Sequence, residues 1–217
     1  MKMNKLGGTG ITVSDLCLGT MTYGTQTAQD DAFTQMDMAL EAGINIFDTA
    51  EMYPVNPIEA STQGASEEIL GNWFKASGKR EKVVLATKHS GEGLSHVRDG
   101  APITPSSIPK AIEGSLKRLK TDFIDLYQFH WPNRGSYMFR KNWLYDPSKQ
   151  NKEENNSINK SIRSKSNVRK LDAKQSHSIP KHPAAPTPGQ VPRDRRRRHH
   201  AVRAVVPVAR LWNVIFH

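Results

Sequence analysis

The first 130 residues of the chain alternate between short apolar runs and longer stretches in which apolar residues recur at helical spacing. Each run is short, mainly apolar and followed by polar or turn-forming residues, which is typical of a buried β-strand. The predicted strands cover residues 16–19, 44–47, 83–86 and 123–129. Ahead of them, Gly7, Gly8 and Gly10 predict a tight hairpin over residues 5–13, because glycine tolerates the positive φ angles of such turns.

Three amphipathic helices are predicted between these strands. They cover residues 30–42, 66–77 and 104–119. The first helix is predicted to begin near Asp30 or Asp31 and to stop at Gly43, and the third to be capped by Thr104 with Pro105 in its first turn. Their apolar faces are predicted to comprise Phe33, Met36 and Leu40, then Ile69, Leu70, Trp73 and Phe74, then Ile108, Ile112, Leu116 and Leu119.

Alternation of strands and helices, with strands that are short and apolar throughout, predicts an α/β fold in which helices cover a parallel sheet. A closed barrel and an open doubly wound sheet share this rhythm. The glycines at Gly19 and Gly24 do not form the G-x-G-x-x-G fingerprint that would favour the open sheet. The absence of this fingerprint therefore favours the barrel.

Charge divides the chain into two unlike parts. Residues 1–150 carry 16 Lys and Arg against 17 Asp and Glu, whereas residues 151–217 carry 15 against 4. The later part is rich in Asn, Ser, Pro and Arg and offers too little apolar surface to offset the entropy of an ordered chain. We therefore predict a folded domain over residues 1–147 and a disordered basic tail over residues 148–217.

The cysteine content and the length of the apolar runs exclude several classes of protein. A single cysteine, Cys17, excludes an intramolecular disulfide framework, and its apolar surroundings predict a core residue. No run of about 18 apolar residues and no signal-peptide core are present. We expect a cytoplasmic protein that neither spans a membrane nor carries a metal site.

Four polar residues, Asp48, Tyr53, Lys88 and His130, lie at or just beyond the ends of the predicted strands. Parallel α/β barrels place their catalytic side chains at the carboxyl ends of strands. The set combines a phenol that can act as an acid, a cation and a carboxylate that can tune it, and an imidazole. His89 and His96 are interpreted as loop residues.

The string Phe-Asp-Thr-Ala-Glu-Met-Tyr at residues 47–53 resembles the signature of the aldo-keto reductase family. Further motifs resemble the same family in the same order. They are Lys5-Leu6-Gly7, Leu18-Gly19-Thr20-Met21, Glu67-Glu68-Ile69-Leu70-Gly71, Thr87-Lys88 and Asp125-Leu126-Tyr127-Gln128-Phe129-His130-Trp131. The last motif and the long insert after Tyr53 are most similar to the Tas-type branch, which is related to the potassium-channel β subunits. The resemblance covers roughly residues 1–147.

The resemblance implies a role for each candidate. Tyr53 would be the general acid that protonates a substrate carbonyl oxygen, and Lys88 would lower its pKa from the usual value of about 10. Asp48 would hold Lys88 by a charge-assisted hydrogen bond. His130 would orient the carbonyl, and Trp131 would form a wall of the substrate pocket.

The resemblance also implies a cofactor, NADPH, as the source of hydride. Gly19, Thr20 and Met21 match the loop that lies beside the nicotinamide and its ribose, and Asp48 would also contact the ribose. The predicted function is therefore NADPH-dependent reduction of aldehydes and ketones to alcohols, with a small carbonyl compound as the partner.

A complete (β/α)₈ barrel takes about 250 residues, and the family pattern ends near Ser148 after four strands. The expected fold is therefore the N-terminal half of a TIM barrel, and the expected enzyme is truncated. The abrupt change in composition is interpreted as translation in a shifted reading frame. Unpaired sheet edges of a half-barrel predict self-association, poor solubility and weak NADPH binding.

Two other functions stay open. A catalytically inactive fragment or pseudoenzyme would act, if at all, by binding a protein partner. Nucleic-acid binding through the four arginines at 195–198 is disfavoured, because the only aromatic residues of the tail, Trp212 and Phe216, are too few and too distant to stack on bases.

Overall fold

The computed structural model describes residues 1–131, Asn133, Ser148 and the backbone of residues 201–207. Strands and three α-helices alternate over most of these residues. In chain order they are β1 (Met3–Lys5), β2 (Thr12–Ser14), β3 (Cys17–Gly19), α1 (Gln29–Glu41), β4 (Ile46–Asp48), α2 (Ala65–Ser77), β5 (Val84–His89), α3 (Ser107–Leu119), β6 (Phe123–Phe129) and β7 (Ala201–Pro207).

The strands form two sheets. β1 and β2 pair as the predicted antiparallel hairpin. The other five strands form a parallel sheet in the order β3-β4-β5-β6-β7. One helix connects each consecutive pair from β3 to β6, so the α/β class predicted from the sequence is confirmed and the carboxyl ends of these strands lie at one edge of the sheet.

Part of the tail differs from the prediction of disorder. Ala201–Pro207 form β7, whose backbone pairs in parallel with β6 along the whole length of both strands. Without β7, this edge of β6 would present unpaired backbone N–H and C=O groups. The backbone of β7 supplies their hydrogen-bond partners. The rest of the predicted tail, apart from Ser148, lies outside the described residues.

The helical faces follow the predicted pattern closely in α2 and α3, where every predicted apolar residue is buried. In α1 the fully buried residues are Ala32, Met36 and Ala39, while Phe33 and Leu40 are only partly buried against the core. Among the residues described here, no helix is long and apolar enough to cross a membrane.

The helix starts differ from the predictions by a few residues. The N-cap of α1 is Ala28, so Asp30 and Asp31 lie inside the first turn, where their charge favours the positive end of the helix dipole. α3 begins at Ser107 rather than at Thr104. Thr104 nevertheless caps this end, because its Oγ1 accepts a hydrogen bond from the Ser107 N–H at 3.0 Å.

The two faces of the parallel sheet have different roles. Its outer face packs against the helices through one large apolar cluster, which includes Phe47, Leu85, Tyr127, Trp73 and Leu116. Its inner face begins with a small apolar layer formed by Ile46, Ala86 and Leu126. Side chains two positions apart on a strand share a face. The next inner layer is therefore polar and consists of Asp48, Lys88 and Gln128.

Arg80 fixes β5 against β6 at the opposite end of the sheet. Its guanidinium lies 3.8 Å from the centre of the Phe123 ring and donates to Asp125 Oδ2 at 2.8 Å. The same Asp125 oxygen accepts the backbone N–H of Leu85 at 3.0 Å. One ion pair thus sets the relative position of the two strands that carry Lys88 and precede His130.

Gly71 is expected to be required for the packing of α2 on α3. A β-carbon at this position would lie 2.3 Å from the Arg118 carbonyl oxygen and 2.7 Å from the Leu119 carbonyl carbon. Gly71→Ala should lower the free energy of unfolding by about 1–3 kcal/mol, although alanine favours a helix, because both obstructing atoms belong to rigid backbone.

Urea unfolding followed by circular dichroism measures the effect of this change. Gly8→Ala is the matched control, because a β-carbon at Gly8 has no described atom within 4 Å. The control should change the stability by less than about 0.5 kcal/mol. An equal, small effect of both substitutions would show that α2 and α3 do not pack this closely.

Candidate active site

Three adjacent strands bring the predicted polar residues together. Asp48 is the last residue of β4, Lys88 is the last but one of β5, and His130 directly follows β6. Because β4, β5 and β6 run in parallel, these positions lie at the same edge of the sheet. Tyr53 joins them from the turn that follows β4.

Lys88 is the centre of the site. Its Nζ donates hydrogen bonds to Asp48 Oδ2 at 2.5 Å, to the Thr49 carbonyl oxygen at 2.8 Å and to the Tyr53 hydroxyl at 3.3 Å. Burial lowers the pKa of the Lys88 ammonium, but the charge of Asp48 and the contact with Tyr53 raise it by more, so the net pKa is raised. The side chain is therefore a fixed cation with all three protons in use.

Tyr53 is held by its backbone on both sides. Its N–H donates to the Ala50 carbonyl at 3.0 Å, and its own carbonyl accepts the N–H groups of Gly64 and Ser66 at 2.9 and 3.4 Å. These bonds tie the turn after β4 to the start of α2. The phenol is consequently placed beside Lys88 by main-chain contacts rather than by a flexible loop.

The net pKa of Tyr53 differs from the expectation that Lys88 brings it below its usual value. Burial raises the pKa of the phenol, and the Lys88 ammonium, which lowers it, does not compensate. A sequence motif indicates that the cation is present, but it does not indicate how deeply the phenol is buried. Tyr53 is only 7% exposed. The hydroxyl is therefore protonated at neutral pH.

His130 lies beside Tyr53, with the two ring centres 5.5 Å apart and the rings edge to face. Its backbone N–H donates to the His89 carbonyl oxygen at 2.8 Å, which fixes the start of the loop after β6. Burial lowers the pKa of the imidazole well below its usual value, and the Lys88 charge lowers it further. The ring is therefore neutral at physiological pH and keeps one N–H group that can donate.

Trp131 forms a buried wall next to the phenol. It packs in one apolar cluster with Met52, Tyr53 and Leu94, and its indole N–H donates to the Glu92 carbonyl oxygen at 3.2 Å. Gly91 allows this approach, since a β-carbon there would lie 2.2 Å from the indole. Trp131 therefore lies next to Tyr53, and its role as a wall of the substrate pocket stays a prediction.

The predicted cofactor loop lies directly after β3, and its residues differ in exposure. Gly19 pairs with Asp48 across the sheet and is exposed, and Met21 is 49% exposed. Thr20 is fully buried, and its N–H and hydroxyl both donate to the Asp48 carbonyl oxygen at 3.0 Å. Thr20 thus anchors the loop to β4, whereas Gly19 and Met21 are exposed.

Two interpretations of single residues are wrong. His89 is the last residue of β5 and fully buried rather than a loop residue. Its Nδ1 lies 2.7 Å from the Ser90 carbonyl oxygen and its Nε2 lies 3.1 Å from Ser107 Oγ. Cys17 is exposed rather than in the core, because it lies on β3, the edge strand of the parallel sheet.

Sequence reasoning also missed a buried ion pair behind the site. Glu51 accepts a hydrogen bond from the Ser90 N–H at 2.6 Å and pairs with the Arg98 guanidinium. Arg98 also donates to the Ser90 carbonyl oxygen at 2.7 Å. The pair joins the turn that carries Tyr53 to the loop after β5. The sequence signal available for it was Glu51, the second charged residue of the motif at residues 47–53.

Gln128 is a further residue that the motifs did not single out. It lies on the inner face of β6, opposite Lys88 in the strand register, and its Nε2 donates to Asp48 Oδ1 at 3.1 Å. A polar residue in step with inward-facing Leu126 was the available signal. Within the described part of the chain, no group of three His, Cys, Asp or Glu side chains could hold a metal ion.

Residues 15–145 match the model of the aldo/keto reductase family. The chain belongs to this family. The four strands β3 to β6 and the three helices between them are accordingly the N-terminal half of the family's TIM barrel, as the sequence predicted.

The chain is also similar to individual proteins. The chain is 43% identical over 144 residues to protein Tas of Escherichia coli, covering 65% of this chain and 41% of that protein. It is 46% identical over 139 residues to the uncharacterized oxidoreductase YrpG of Bacillus subtilis, covering 62% and 41%. A solved structure, aldo-keto reductase AKR11C1 from Bacillus halodurans in its holo form, matches with a TM-score of 0.49 and 35% identity, covering 59% and 40%. The chain thus spans about two fifths of the length of these relatives.

Proposed function

We propose that the chain is an NADPH-dependent carbonyl reductase that converts aldehydes or ketones into alcohols. In this proposal residues 1–147 are the reductase domain and residues 148–217 a basic tail, of which Ala201–Pro207 add the strand β7 to the sheet of that domain. The observation that carries the proposal is Lys88, which bridges the Asp48 carboxylate and the Tyr53 hydroxyl at 2.5 and 3.3 Å. Family membership supports an oxidoreductase of this kind.

Tyr53 is the proton donor in this proposal. Its buried phenol is protonated at neutral pH, which is the form that can transfer a proton to a carbonyl oxygen as that oxygen gains negative charge. The Lys88 ammonium, 3.3 Å from the hydroxyl, stabilises the phenolate that remains. The Lys88 ammonium thus interacts more strongly with the phenolate than with the neutral phenol. This difference stabilises the transition state of proton transfer relative to the ground state.

Asp48 and His130 have supporting roles. The Asp48 carboxylate keeps Lys88 charged and in place despite its 8% exposure. The neutral imidazole of His130 can donate its N–H to the same carbonyl oxygen and so orient the substrate toward Tyr53. Trp131 excludes water on one side of the phenol and bounds the space for the substrate.

The surface beside Asp48 fits a flat cofactor ring. Gly19 is exposed, and a β-carbon at that position would have no described atom within 4 Å, so the inner face of β3 is open. Gly19, Met21 and Asp48 would hold the nicotinamide and its ribose, with Thr20 fixing the loop beneath. NADPH would supply the hydride that reduces the carbonyl carbon.

The test is a turnover measurement on the full chain. Purified protein is incubated with NADPH and a panel of aromatic and aliphatic aldehydes and ketones, and both NADPH oxidation and the alcohol product are quantified. We expect formation of one alcohol for each NADPH consumed. The proposal is contradicted if no member of the panel yields an alcohol while the protein is folded by circular dichroism.

A further inference from the structure

The Asp48 carboxylate is held at both of its oxygens. Lys88 Nζ donates to Oδ2 and Gln128 Nε2 donates to Oδ1 at 3.1 Å. The Asp48 side chain is 28% exposed, so packing alone does not fix its orientation. Gln128 is 5% exposed and lies directly opposite Lys88 in the register of β5 and β6. Hydrogen bonds between Lys88, Asp48 and Gln128 therefore link three adjacent strands.

The chemical type of the side chain at position 128 determines whether these hydrogen bonds can form. An amide donates a hydrogen bond without adding charge, so it orients Asp48 and leaves the whole negative charge available to Lys88. A carboxylate at this position would repel Asp48, and an ammonium would compete with Lys88 for it. An apolar side chain would leave Oδ1 without its partner and the carboxylate free to turn toward solvent.

We propose that Gln128 is a positioning residue of the reductase site, which holds Asp48 so that its second oxygen stays on Lys88. The role rests on the proposed function, because Lys88 has to remain beside the Tyr53 hydroxyl during proton transfer. The side-chain amide of Gln128 donates to Asp48, so it acts on the phenol through Asp48 and Lys88.

Two variants test the role through the pH dependence of kcat. Gln128→Met keeps the length and volume of the side chain but removes the donor, and should lower kcat about tenfold at every pH, with KM for the carbonyl substrate changed less than about twofold. Gln128→Glu should lower kcat by at least as much at pH 8. Its kcat should recover as the pH falls, because the protonated carboxyl again donates to Asp48 Oδ1.

The matched control is Gln35→Glu on the exposed side of α1. It makes the same chemical change, and the new carboxylate still accepts the hydrogen bond of the Tyr23 hydroxyl. This variant should keep the kcat and pH profile of the unmodified chain. Urea unfolding of all three variants shows whether any loss of activity comes from unfolding.

A second measurement does not depend on turnover. The exchange of the Lys88 ammonium protons with water is measured by ¹⁵N NMR at pH 7, with the signal assigned by its loss in Lys88→Met. Exchange should become several times faster in Gln128→Met and stay unchanged in Gln35→Glu. If Gln128→Met keeps the original exchange rate in a folded protein, the positioning role is refuted. Absence of turnover in the unmodified chain would instead refute the proposed function, and the exchange rates would still decide the role of Gln128.

Discussion

Tyr53→Phe is expected to lower kcat for carbonyl reduction by about 100- to 10,000-fold, the usual contribution of a general acid. The substitution removes one oxygen atom and keeps the ring that packs with Met52 and Trp131. It also leaves Lys88 with two of its three hydrogen-bond acceptors, Asp48 and the Thr49 carbonyl. The measurement is steady-state NADPH oxidation with the best aldehyde of the panel, together with quantification of the alcohol.

Tyr23→Phe is the matched control for this loss. Tyr23 is 1% exposed, burial raises the pKa of its phenol to about 12, and its hydroxyl donates to Gln35 at 3.0 Å. Removing this hydroxyl should cost about 1 kcal/mol of stability and leave kcat unchanged. NADPH affinity, followed by quenching of protein fluorescence, should be the same in both variants. Equal kcat values for Tyr53→Phe and the unmodified chain would exclude Tyr53 as the acid.

The outer layer of the fold could be predicted from the sequence because its signal is local. α2 and α3 carry large apolar residues on one face only, and every one of them is buried. α1 was less well predicted, because two of its three buried residues, Ala32 and Ala39, are small and do not stand out from the pattern. β7 could not be predicted at all, since its strand depends on an edge supplied by β6, more than 70 residues earlier in the chain.

The positions of the candidate site residues were predictable for a similar reason. Asp48 and His130 each follow an apolar run, and the carboxyl ends of parallel strands meet at one edge. The hydrogen bond from Gln128 to Asp48 depends instead on the register between strands, and the raised pKa of Tyr53 on its burial. Neither this hydrogen bond nor the raised pKa can be predicted from a motif, because both arise only when distant parts of the chain pack together.

The ion pair between Glu51 and Arg98 shows how this packing supports the site. Glu51 lies two residues before Tyr53, and Arg98 lies in the loop after β5. Their contact, with the bond from the Ser90 N–H, closes the outer side of the turn that carries the phenol. His89 is enclosed in the same buried cluster, with its Nδ1 3.8 Å from Glu51 and its ring edge to face with the Tyr127 ring at 6.5 Å between the ring centres.

The folded protein is therefore expected to lose stability in mild acid through His89. Burial and the Arg98 charge lower the pKa of this imidazole from 6.5 to about 3. Below pH 6.5 the unfolded chain binds a proton at His89 that the folded chain cannot accept, so stability falls as the pH falls toward 3. The loss amounts to about 1.4 kcal/mol per pH unit, or roughly 2–3 kcal/mol at pH 4.5.

A comparison with His89→Gln isolates this contribution, because glutamine keeps polar atoms but does not titrate. Free energies of unfolding in urea are measured for both proteins between pH 9 and pH 4.5. The two curves should run parallel above pH 7.5, where His89 is neutral in both the folded and the unfolded protein. Below pH 6.5 they should converge or cross, because only the unmodified protein loses stability through protonation of His89 in the unfolded chain. Curves that stay parallel down to pH 4.5 would mean that His89 accepts a proton in the folded protein, and hence that its cluster with Arg98 is open to solvent.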